Sequence, residues 1–216
     1  MIVIIPVLVN NDTEGGAIMN KPKTLKFPFP ERKFIRTSDM LHLGYSYYMI
    51  NRFAKDGIIT RINGNTFENL HYTMDENEFL YVNGYVKQDV VCLMSAAVYY
   101  GISTFRPYQI DVAIPSKSKV SILPDWPSIG IFYFSDSRHQ LGIERKAFDG
   151  GSCNIYDKEK TVCDLLTYRN KYGQEDCLAV LKNYLREEDR DINKLIRYAQ
   201  QMRSYTILSK YLEVLL

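Results

Sequence analysis

"GYSYYMINRFAKDGIITRINGNTF" (residues 44–67) decides how the front of this chain folds. Over residues 47–56 the apolar Met49, Ile50, Phe53 and Ala54 recur at the i, i+3, i+4 spacing of one helical face, leaving Tyr48, Asn51, Arg52 and Lys55 to point elsewhere. Gly57 then supplies the residue type that most readily ends a helix. Beyond it, residues 58–62 and 65–70 are β-rich runs on either side of Asn63-Gly64, the dipeptide expected of a two-residue hairpin turn. Upstream, "TSDMLHLG" (37–44) reads as a short helix with Thr37 or Ser38 as N-cap, Asp39 in the favourable first turn and Gly44 as the stop, and Ser46 restarts the pattern at once. Helix, turn, helix, hairpin is the order of a winged helix-turn-helix.

In that arrangement the second helix enters the DNA major groove, its exposed N-terminal residues meeting base edges while hydroxyls and cations hold phosphates. Asn51 has the chemistry to pair with adenine and Arg52 with guanine, while Ser46, Tyr47, Tyr48 and Lys55 suit the backbone, and Arg61 and Asn63 fall near the wing. Charge is distributed accordingly. The 216-residue chain has a formal net charge of only +2, yet residues 19–70 hold nine Lys and Arg against four Asp and Glu, while residues 71–216 hold 18 against 19. A short basic module beside a near-neutral one is the footprint of nucleic-acid contact, since phosphate neutralisation supplies most non-specific affinity. Seventeen tyrosines, a high count, add amphipathic surface for partners.

Around this unit the chain divides into three parts. Residues 1–33 form an extension and an extended arm, because Pro22, Pro28 and Pro30 forbid a regular helix over residues 20–33, and Met19 stands as an alternative start. Residues 34–72 form the winged unit, and residues 73–216 an α+β domain. The polar stretch 71–89 reads as the linker, with a short helix around residues 76–81. "DVVCLMSAAVYYG" (89–101) passes from a strand stub into a small-residue helix closed by Gly101. "YQIDVAIP", "IGIFYFS", "GIERKAF" and "SCNIY" are strands, the last two joined by the turn at Asp149, Gly150 and Gly151. Helical periodicity fills the rest, with Asp157 as N-cap of the first helix. The fold class is therefore α+β, a winged helix-turn-helix followed by a mixed α/β domain with a helical end.

Catalytic chemistry finds little purchase. None of His42, His71 and His139 stands at metal-ligand spacing, so neither metal nor cofactor is expected. "GGS" (150–152) faces no nearby Asp-x-Asp, the only such pair, Asp189 with Asp191, lying some forty residues on at a helix start, which leaves a nucleotidyltransferase as a weak alternative. Cys92, Cys153, Cys163 and Cys177 form no C-x-x-C pair and read as buried reduced thiols of a cytoplasmic protein. The opening "MIVIIPVLV" is too short to span a bilayer, and no membrane segment is expected.

Four blocks in order, "VVCLMSAAVYYGIS", "YQIDVAIP", "GIERKAFDGGSCNIYDKEKTVCDLLTYRNKYG" and "CLAVLKNYLRE", resemble the AbiEi family of antitoxins of type IV, abortive-infection toxin-antitoxin systems. The matching positions are Leu93, Ser95, Ala96 and Gly101; Ile114 and Pro115; and Tyr156, Lys160, Thr161, Asp164, Tyr168, Arg169, Asn170, Lys171 and Gly173. The resemblance implies an N-terminal winged helix that binds inverted repeats in its own promoter as an autorepressor, with a homodimer on the DNA as the expected form. It also implies a C-terminal domain needed for antitoxin action and a nucleotidyltransferase-like toxin as functional partner. An interaction-only antitoxin domain without DNA binding is the alternative. Asp164 and Thr161 are expected in a cap or buried polar network. Arg169 and Lys171 either satisfy the last carbonyls of their helix or form a second basic patch toward DNA or toxin. One departure is evident: where such winged helices begin with a full helix, this chain has its proline-broken arm.

Overall fold

The computed structural model describes residues 4–6, 24–74, 77–120 and 122–215. The chain is α+β and divides into two compact units: Met1–Glu76 with Asp149–Gly151, and Asn77–Phe148 with Ser152–Leu216. None of the helices among the described residues is long and apolar enough to cross a membrane.

In the first unit β1 (Ile4–Pro6) pairs antiparallel with β2 (Thr24–Lys26). Then come β3 (Phe34–Arg36), α1 (Thr37–His42), α2 (Tyr47–Lys55), β4 (Ile59–Arg61) and β5 (Thr66–Asn69). The last three strands form an antiparallel sheet in the order β3-β5-β4, with Ile35 opposite Phe67 and Thr60 opposite Glu68. Its core is one apolar cluster in which Ile35 and Phe67 from the sheet meet Met40, Ile50 and Phe53 from the two helices. Ser46 caps α2 by accepting the Met49 N–H at 3.3 Å, and Gly57 ends it with φ of 72°, a left-handed conformation costly for any residue with a Cβ.

The arm occupies part of that core. Phe27 is buried edge-to-face on Phe53, centroids 5.3 Å apart, and the Tyr45 hydroxyl donates to the Lys26 carbonyl at 2.7 Å. Asn69, itself 1% exposed, uses its Nδ2 to donate to the carbonyls of Phe29, Pro30 and Arg32. A segment whose prolines deny it helical hydrogen bonds thus has its carbonyls satisfied by one buried amide.

Three local expectations are corrected. Neither Thr37 nor Ser38 caps α1: Arg36 occupies the N-cap position without a side-chain bond, because β3 pairs through Arg36 opposite Thr66 and runs straight into the helix. Thr37 instead donates to the Asn65 carbonyl at 3.2 Å. The hairpin is not a two-residue turn, since Ile62 N–H donates to Thr66 O and neither Asn63 nor Gly64 is in the left-handed region that a type I′ turn requires. Asn63 Oδ1 accepts the Asn65 N–H at 3.0 Å, so its side chain closes a longer loop. Nor is 71–89 a linker throughout: α3 (Phe79–Tyr85) belongs to the second unit and buries Leu80 and Val82.

The second unit continues with β6 (Val90–Val91), α4 (Leu93–Tyr99), β7 (Ile110–Pro115), β8 (Ile129–Phe134), α5 (Asp136–His139), β9 (Ile143–Phe148) and β10 (Gly151–Tyr156). The order is β8-β7-β6-β10-β9, β7 running parallel to β8 and antiparallel to β6, and β10 parallel to β6. Helices α6 (Lys158–Thr167), α7 (Arg169–Tyr172), α8 (Gln174–Tyr184), α9 (Ile192–Gln201) and α10 (Tyr205–Leu215) close the chain. Strand periodicity sorts the core into two clusters: Val90, Ala113, Phe132 and Phe134 join α6 and α8 to α10 on one face. Val91, Val112, Ile114 and Ile155 join Val82 and Val86 on the other. Asp157 caps α6 as its position predicts, accepting the Lys160 N–H at 2.8 Å. All four cysteines are free and buried.

Candidate nucleic-acid interface

Helix geometry decides which side chains of α2 share a face. At about 100° per residue, Tyr47, Asn51, Lys55, Tyr48 and Arg52 fall within an arc of about 140°, and Ile50 and Phe53 lie opposite. Burial follows that arithmetic. Ile50 and Phe53 are at most 1% exposed, whereas Tyr47 and Tyr48 are 63% and 64% exposed, and Asn51 and Lys55 also stand in solvent. The two tyrosines give that face amphipathic rings, each with an apolar body and a hydroxyl.

The hairpin contributes to the same surface. Arg61 of β4 lies over the Phe67 ring at 4.7 Å, donates to the Gly64 carbonyl at 3.4 Å and reaches Asn51 Oδ1 at 3.5 Å. Its guanidinium is therefore engaged by ring, loop and helix together, which fixes the charge beside α2. Arg52 is directed to Asp56, its Nε donating at 2.9 Å, and this carboxylate raises the guanidinium above its ordinary range. Asn63 is turned into its own loop by the bond to Asn65. Of the eight residues singled out, the structure brings Tyr47, Tyr48, Asn51, Lys55 and Arg61 onto one exposed surface, sets Ser46 at the helix cap, and gives Arg52 and Asn63 local partners.

Part of the basic surplus of the first unit is neutralised internally. Lys33 pairs with Glu68 at 3.1 Å and Arg32 with Asp39 at 3.1 Å, and with Arg52 on Asp56 this engages three of the four acids of residues 19–70. Lys55 and Arg61 lie outside those pairs.

In the second unit, Arg169 donates to the Leu166 carbonyl at 2.9 Å, satisfying the end of α6, while Lys171 lies over the Phe132 ring at 3.9 Å. Asp164 is fully buried and receives Arg138 at 2.6 Å and Lys160 beside it on α6, with Lys160 4.2 Å above the Tyr156 ring. Burial lowers the Lys160 ammonium from its ordinary value, against the attraction of Asp164. Thr161 donates to the Tyr156 carbonyl. The family resemblance singles out Lys160 and Asp164 but not Arg138, 26 residues away on α5, nor Asn69, whose clamp on the arm has no local signature.

Asp189 is held by Lys158, and Asp191 caps α9 by accepting the Lys194 N–H. Among the described residues no group of three or more His, Cys, Asp or Glu is placed to hold a metal ion. No protein-family model matches the chain, and no curated protein matches it.

Proposed function

We propose that this chain is a DNA-binding antitoxin and transcriptional autorepressor of the AbiEi type, its first unit a winged helix-turn-helix and its second the antitoxin domain. The observation that carries the reading is the shared surface of α2 and the β4–β5 hairpin, on which exposed Tyr47, Tyr48, Asn51 and Lys55 stand beside an Arg61 braced by Asn51. Supporting it are the succession β3, α1, α2, β4, β5 and the β3-β5-β4 pairing, the connectivity of a winged helix without its leading helix. The arm supplies what that missing helix would otherwise give, an apolar cover on Phe53.

In this reading α2 enters the major groove from its Ser46 end, the tyrosine hydroxyls and Lys55 engage phosphates, Asn51 reads a base edge, and Arg61 follows the backbone beside the wing. A duplex covering the region upstream of the chain's own coding sequence is expected to shift in a native gel with the intact protein. Arg52→Ala with Lys55→Ala is expected to weaken that shift. Absence of a salt-sensitive shift, or a shift untouched by the double substitution, would leave an antitoxin that acts through its second unit alone.

A further inference from the structure

The last helix carries more apolar surface than its own unit covers. In α10, Leu208 and Leu212 are buried and Ile207, Tyr211 and Leu215 are partly buried against the same core, while Val214, at the edge of an apolar arc of about 160°, is 82% exposed. Ile207, Tyr211, Val214 and Leu215 line one wall of a groove of about 490 Å³ whose other wall is Leu178 of α8.

The rim of this groove has one sign. Arg169, Lys182 and Lys210 line it, from α7, α8 and α10, and among the described residues no Asp or Glu does. Arg169 spends one donor on the Leu166 carbonyl, which fixes its stem and leaves the rest of the fork available. Shape adds a further constraint. The lining positions of α10 run as 206, 207, 210, 211, 214 and 215, two and a half turns of one face and about 13.5 Å long at 1.5 Å per residue. Leu178 and Lys182, one turn apart on α8, face them. Two helices presenting successive turns across an apolar furrow form a seat for a third helix.

We propose that the α8–α10 groove docks an acidic amphipathic helix of a partner protein, its apolar stripe on Ile207, Tyr211 and Val214 and its carboxylates on Arg169, Lys182 and Lys210. A second copy of α10 is a poorer occupant, since its Lys210 and Glu213 cancel and leave the three cations unanswered. The proposal concerns the second unit alone and does not depend on DNA binding by the first.

The test uses the full chain and a fluorescein-labelled synthetic helix of about 15 residues, long enough to be partly helical, with leucines at i, i+3, i+4, i+7 and glutamates elsewhere. Fluorescence anisotropy is expected to show micromolar binding that weakens as salt is raised and that falls about tenfold or more in Lys182→Glu with Lys210→Glu. Val214→Asp, at an exposed position that leaves the core intact, is expected to abolish binding. A lysine-for-glutamate version of the peptide should bind at least about tenfold more weakly, as should a version broken by a central proline. Equal binding of all three peptides, or none, overturns the proposal. It is also overturned by light scattering that reveals a dimer which Val214→Asp dissociates, for then the groove belongs to a second copy.

Discussion

Arg52 and Arg61 are both arginines of the first unit, yet neighbours a few ångströms away give them different work. A surface i,i+4 pair such as Arg52 with Asp56 is a weak tie, weaker than a bidentate contact to guanine, so in the complex we propose a duplex would recruit Arg52 by exchanging one partner for another. Arg61 has only uncharged partners, the Phe67 ring, the Gly64 carbonyl and Asn51, which fix its position without neutralising it. The reverse case is Asp164, which has no exposure and two cationic partners. Asp164→Asn would leave the fully buried Lys160 without its counter-charge, and the expected loss is about 3–5 kcal/mol of stability in urea denaturation. A loss under about 1 kcal/mol, what a surface pair is worth, would mean that Lys160 is held neutral by burial and needs no anion. At this scale the sequence was partly legible. Helical spacing gathers Tyr47, Tyr48, Asn51 and Lys55, because about 3.6 residues per turn is a local rule. It cannot pair Arg138 with Asp164 or Asn69 with the arm carbonyls, because those contacts span 26 and 37 to 40 residues of chain.

At the scale of elements, the two helices of the first unit begin differently, and the difference is testable. Ser46 meets a chain that has just turned and is free to cap, whereas Thr37 follows a paired strand residue and is drawn to Asn65. Ser46→Ala is accordingly expected to cost about 1 kcal/mol, read as a lowered urea midpoint of the first unit. Thr37→Ser, which retains the hydroxyl, should keep its bond to the Asn65 carbonyl and cost less than that. The arm belongs to this scale too. Its prolines announce extension plainly, but only the folded core reveals that Phe27 seals Phe53. The Asn63-Gly64 signal locates the hairpin but misjudges its length, since Asn63 prefers to bond its own backbone two residues on and thereby widens the loop. The second unit was legible in its strands and late helices, whose periodic runs are long. It was misread at α3, whose short polar-flanked segment resembles a linker until Leu80 and Val82 are placed in a core.

Over the whole molecule, the two units have separate apolar clusters, so agents that destabilise one need not act on the other. Acid gives a means of addressing the second unit. His139 is 6% exposed, and its Nε2–H donates to the Gln88 carbonyl at 2.9 Å. Burial lowers this imidazole below its ordinary 6.5. As pH falls through 6.5 the unfolded chain takes up the proton first while the folded chain resists it, so the unfolded state binds more protons and stability declines below that pH. A thermal midpoint measured from about pH 8 to about pH 5 is expected to fall across that window in the wild type, and His139→Gln should flatten the fall. The first unit makes the stronger functional claim: that Lys55 and Arg61 meet phosphates together. The most direct measurement is the slope of log affinity against log salt for a duplex from upstream of the chain's own coding sequence. Replacing both cations in Lys55→Ala with Arg61→Ala is predicted to reduce the magnitude of that slope by about two, one for each phosphate no longer neutralised. An identical slope in the double variant, or an affinity indifferent to salt in the wild type, would contradict the account.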